Sequence, residues 1–121
     1  MRKKKRLVLK EKKKLSKECW SLDIVFYKWL REHLETYLRD AGKFIDLEYA
    51  KFEIDDKEYT QLEIIKAMLA ILDSIEELGV FDWTFPKGET SEEVQENLKE
   101  LQRMTSDLCK LWAIVMPAMW W

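Results

Sequence analysis

Residues 56–78, DKEYTQLEIIKAMLAILDSIEEL, place Leu62, Ile64, Ile65, Met68, Leu69, Ile71, Leu72 and Ile75 around most of a helical circumference before Gly79. A surface helix needs only one apolar stripe, so a segment this apolar predicts a central helix buried on more than one side, or one whose extra face meets another subunit. Asp55 followed three residues later by Glu58 has capping-box spacing, which sets the expected start near residue 56. An amphipathic segment lies on each side of this helix. Before it, Leu22, Val25, Phe26, Trp29, Leu30, Leu34, Tyr37 and Leu38 recur at three and four residues, which predicts a helix over 20–41 stopped by Gly42. Lys28 with Glu32, Arg31 with Glu35 and Glu35 with Arg39 are spaced for supporting ion pairs on its outer face. After it, Thr90 and Glu93 form a second capping box, opening a helix over 91–115 with Val94, Leu98, Leu101, Met104, Leu108, Leu111, Trp112 and Val115 as its stripe. Pro117 biases Met116 out of helical geometry and ends it.

The connections are less periodic. KFIDLEYAKFEI at 43–54 fits neither the helical nor the strand period and reads as a docked loop with room for one short strand. GVFDWTFPKGET at 79–90 is a connection by its Gly and Pro content, and its Phe81, Trp83 and Phe85 are placed to cover an end of the bundle. With only three Gly and two Pro in 121 residues, the expected architecture is all-α: a compact, three-helix bundle-like domain over 18–121, preceded by a basic arm at 1–17.

That arm is the strongest electrostatic feature. Ten of the 21 basic residues fall in the first 17 positions against one acid, Glu11, a formal +9. The other 104 residues hold 11 Lys/Arg and 22 Asp/Glu, a formal −11, so a basic arm sits on an acidic body. Such a pairing points to an anionic partner or to docking on a second copy. Val8, Leu15, Leu22 and Trp29 are seven residues apart, so the first helix can run back through the arm if something packs on Val8 and Leu15; alone, the like charges would fray it.

The catalytic inventory is thin. His33 is the only histidine and falls on the stripe of the first helix, where it reads as a core or boundary residue rather than a base or ligand. No nucleophile and base are paired, no phosphate-binding glycine loop occurs, and the carboxylates at 55–58 and 92–96 read as caps and a solvated face, so neither enzyme activity nor a metal or other cofactor is expected. Cys19 and Cys109 fit no metal or redox spacing and read as buried thiols of a reducing cytosol. No apolar run suits a signal peptide or a membrane span. Of six Trp, Trp29 and Trp112 lie on helical stripes and read as core, whereas Trp20, Trp83, Trp120 and Trp121 form a candidate aromatic platform or interface.

Glu18, Trp20, Leu22 and Asp23, then Lys28, Trp29 and Leu30, then EIIKAMLAIL at 63–72, then LWAIVMPAMWW at 111–121 follow one another in this chain. This order resembles small helical proteins encoded by tailed bacteriophages, which share an acidic or polar residue before W-x-L-D, a following K-W-L, a second apolar helix and a last helix ending in aromatics. The resemblance spans 18–121 and departs from the pattern at R-E-H-L, 31–34, where the group carries a proline-containing turn. It implies origin alone: a phage product acting in the host bacterial cytoplasm.

Three non-catalytic functions follow, in this order. The first is sequestration of an anionic nucleotide-type signal in a homo-oligomer, with phosphates on Arg2, Lys3, Lys4, Lys5, Arg6, Lys12, Lys13 and Lys14 and the base stacked on one of the platform tryptophans. The second is a protein-interaction module that inhibits a host defence protein, and the third is nucleic-acid binding through the arm. The oligomer is expected because one small bundle cannot hide the apolar second helix, the Phe81, Trp83 and Phe85 cluster and the terminal Trp pair together.

Overall fold

A computed structural model describes residues 2–81 and 86–120, with side chains from residue 8 onward. Helix α1, Arg2–Glu18, leads through a 3₁₀ turn at Cys19–Ser21 into helix α2, Leu22–Asp40. Ser21, at φ −140° and ψ 60°, breaks the helical path between them. Strands β1, Lys51–Ile54, and β2, Lys57–Thr60, follow, then helix α3, Gln61–Glu77, and helix α4, Ser91–Val115. The protein is mostly helical, but the expected all-α bundle needs correcting: a hairpin is built into the body, and the arm is a helix of its own.

The hairpin occupies the segment read as a loop and as the first turn of the central helix. β1 and β2 pair antiparallel with Lys51 opposite Thr60 and Ile54 opposite Lys57. Only Asp55 and Asp56 lie between them, at φ 51° and 66°. Two successive positive φ values make a type I′ turn, whose twist matches that of the strands, and Asp tolerates this region better than most residues. The Asp55 and Glu58 spacing is therefore a turn and a strand position. The capping box lies five residues on, where Thr60 Oγ1 accepts from Glu63 N–H and the Glu63 carboxylate accepts from Thr60 N–H, both at 3.1 Å. Thr60→Ala should cost about 1 kcal/mol, read as a lowered denaturation midpoint at unchanged m-value.

At the other end of α3, Gly79 takes φ 84°, the left-handed conformation that stops helices, and its N–H reaches the Glu76 carbonyl at 2.8 Å. The predicted bounds of α4 hold at 91–115, with Thr90 Oγ1 accepting from Glu93 N–H. The Glu93 carboxylate accepts from Glu89 N–H rather than closing the box on Thr90. Met116 stays helical, and Pro117 sits inside a 3₁₀ turn over Met116–Ala118.

α3 is the middle element. Ile64, Ile65, Met68, Leu72 and Ile75 are buried between α2, which supplies Tyr27, Leu30 and Leu34, and α4, which supplies Leu101, Met104, Leu108 and Val115. α2 runs antiparallel to α3: Arg31 bonds Asp73 and Glu76 at 2.8 and 2.6 Å, while Gln61 donates to the Tyr37 hydroxyl at 3.2 Å. Ala67 meets Leu111, and Ile71 meets Asp107, around shared cavities, so α3 and α4 are antiparallel too. α2 and α4 therefore start at the same end of the body, the end from which the arm departs.

Candidate anion-binding arm and aromatic surface

Every side chain of α1 from Val8 to Lys17 is exposed, and no described part of the body covers this stretch. Lys12, Lys13 and Lys14, with Lys10 and Lys17, point into solvent without an ion-pair partner among the described residues. Arg2, Lys3, Lys4, Lys5 and Arg6 belong to the same helix, and their side chains lie outside the described ones. Seventeen helical residues span about 25 Å, about three times the Debye length of physiological salt, so the far end of the arm is screened from the acidic body it is joined to.

The aromatic candidates do not converge. Trp20, 81% exposed, stands in the 3₁₀ turn at the foot of the arm. Trp120, 77% exposed, follows α4 at the opposite end of the body. Trp83 and Trp121 lie outside the described residues. Trp29 is 45% exposed, so its assignment to the core is corrected; only Trp112 is packed against it, and partly. The cause is helical phase. α2 buries the line Tyr27, Leu30, Leu34 and leaves Leu22 and Trp29 on the outward line that continues the spacing of Val8 and Leu15.

Trp29 instead joins a surface cluster that sequence spacing hints at only in part. The His33 ring stacks on Trp29 with centroids 4.3 Å apart, and Trp112 meets Trp29 edge-on at 6.4 Å. His33 is exposed, and its Nδ1–H donates to the Trp29 carbonyl at 2.7 Å, the tautomer that a carbonyl partner demands. The expected helix-surface pairs of Arg31 and Arg39 are also replaced. Arg31 crosses to Asp73 and Glu76 and lies 4.9 Å over the Phe81 ring, and Arg39 pairs with its neighbour Asp40 at 2.9 Å. Phe81 covers the bundle end as expected, stacked on Tyr27 at 6.2 Å. Cys19 and Cys109 are free and exposed, not buried.

Tyr27 is a core group whose titration the fold displaces. Burial pushes its phenol above the ordinary 10.0, opposed by a 2.7 Å hydrogen bond with the Thr105 hydroxyl. The fold favours the neutral phenol, so this contribution to stability is complete below pH 10 and is lost as pH rises from there through the folded-state value. The melting temperature should fall above pH 10, and Tyr27→Phe should flatten that fall while costing about 1 kcal/mol at neutral pH through the lost hydrogen bond.

No group of three or more His, Cys, Asp or Glu among the described residues is arranged to hold a metal ion. Three cavities on the described surface carry no cluster of cations. One is lined by Glu92, Glu93 and Glu96 with Thr90 and Asn97, and the other two by apolar residues together with Asp55, Glu63 and Asp107, with Lys110 as their single basic side chain. No described helix is long and apolar enough to cross a membrane. The chain matches no protein-family model, no curated protein sequence and no solved structure.

Proposed function

We propose that this protein is a non-catalytic binding protein that grips an extended polyanion, a nucleic-acid backbone, with its projecting basic helix. The observation that carries this reading is α1 itself: a strongly basic helix whose side chains are all exposed from Val8 to Lys17, projecting from an acidic body. Such a rod presents charge along its length and no concave wall. A single nucleotide on it would meet two or three lysines against water, whereas a backbone with a phosphate every few ångströms meets most of them at once and releases its counterions. Together with the resemblance to small tailed-phage proteins, this suggests an accessory, counter-defence role in the bacterial cytoplasm. Nucleotide sequestration is the second reading, supported by Trp20, whose exposed indole stands three residues from Lys17 and offers a stacking face beside cations.

Fluorescence anisotropy with a labelled duplex, a labelled single strand and a panel of cyclic and linear nucleotides separates these readings. The polyanion reading expects binding to the long ligands whose logarithm falls linearly and steeply with the logarithm of salt. Capture of one free nucleotide, returned intact on heating and accompanied by tryptophan quenching, would replace it with sequestration. Silence toward every nucleic acid and nucleotide at low salt would remove both.

A further inference from the structure

Two cavities of about 390 and 240 Å³ share Ile54 and Leu111 and so form one trough between the hairpin, α3 and the second half of α4. Its apolar floor includes Ile71, Ala67 and Ile114, and three carboxylates, Asp55, Glu63 and Asp107, stand around it with one cation, Lys110. α1 has the complementary pattern. Val8 and Leu15, 48% and 61% exposed, lie two turns apart on one face, and the arm's single acid, Glu11, stands between them among lysines.

We infer that this trough receives the α1 helix of a second copy of the chain. Val8 and Leu15 seat on the apolar floor, arm lysines meet Asp55, Glu63 and Asp107, and Glu11 meets Lys110. The signs match: three acids and one base in the trough face lysines and one acid on the helix. The lysine stems add apolar cover beside the floor. A chain does not seat its own arm, since every side chain of α1 from Val8 to Lys17 is exposed. Reciprocal exchange then gives a closed two-fold dimer. Asp107 already touches Arg103 at 3.3 Å, but that exposed pair is weak enough to share its carboxylate. The inference is independent of which anion the arm binds, and polyanion and partner copy would compete for the same lysines.

Sedimentation velocity of the full chain over a concentration series at low salt tests it. The expected result is a species of twice the 14.7 kDa chain mass that dissociates as salt rises. V8Q/L15Q should raise the dissociation constant at least about a hundredfold, since both side chains lose their apolar seat while every arm charge is kept. Polyanion binding by that variant is measured alongside, so failure of one idea is visible apart from failure of the other. E11K and K110E should each weaken the dimer about twofold to fivefold, and E11K/K110E together should restore it. A monomeric wild type, a dimer indifferent to V8Q/L15Q, or a double charge variant weaker than either single one overturns the inference.

Discussion

Leu72→Ala is expected to destabilise the protein by about 2–5 kcal/mol, a large share of the 5–15 kcal/mol typical of a domain. Leu72 is fully buried in the middle of α3, among Met68 and Ile75 on its own helix and the apolar faces of α2 and α4. Removing its isobutyl group loses transfer free energy and opens a cavity that helices packed on both sides cannot close. Urea denaturation followed by circular dichroism at 222 nm should show a lowered midpoint at unchanged slope. Leu9→Ala is the control, an equal loss of atoms from an exposed position on α1 off the Val8 and Leu15 face, and should move the midpoint by less than about 0.5 kcal/mol. Equal costs at the two sites would mean that α3 is not the centre of the core.

The contrast between those two leucines also shows what the sequence could and could not tell. α3 and α4 were legible because local and global signals agree there: dense apolar residues for the buried helix, and a Thr cap with a Pro shortly past the end for α4. The hairpin was not. Asp55-Asp56 lacks the Asn-Gly or Asp-Gly signature of a type I′ turn, and with Glu58 it imitates the capping box that Thr60 and Glu63 form in fact. α2 carries two superimposed apolar lines, Tyr27–Leu30–Leu34 and Leu22–Trp29, and periodicity alone cannot say which one faces α3. Arg31 could not be taken from its local glutamate by reasoning along the chain, because Asp73 and Glu76 arrive only when α3 folds back. The arm was readable as charge and, through the spacing of Val8 and Leu15, as a helix only on condition that something packs on it; the break at Ser21 that makes it a helix of its own had no signal in the sequence.

Lys12→Ala, Lys13→Ala, Lys14→Ala and Lys17→Ala combined should weaken duplex binding at about 50 mM salt by on the order of 10²–10⁴ while leaving the melting temperature of the single chain, read at a dilution where no dimer forms, within about 2 °C of wild type. Each lysine that neutralises a phosphate releases condensed counterion, so four lost contacts also reduce the slope of log K against log salt by about 3–4. The two halves of the prediction rest on the same fact: these side chains touch solvent and have no ion pair among the described residues, so the fold loses nothing with them and an anionic ligand loses much. Changing Lys3, Lys4, Lys5 and Arg6 to Ala should act in the same direction if the whole of α1 lies along the backbone, and the two sets should then add in the logarithm. An affinity that survives both sets, together with a melting temperature lowered by several degrees, would show that the lysines hold the arm against the acidic body, and that the anion this helix was built to meet is the protein's own.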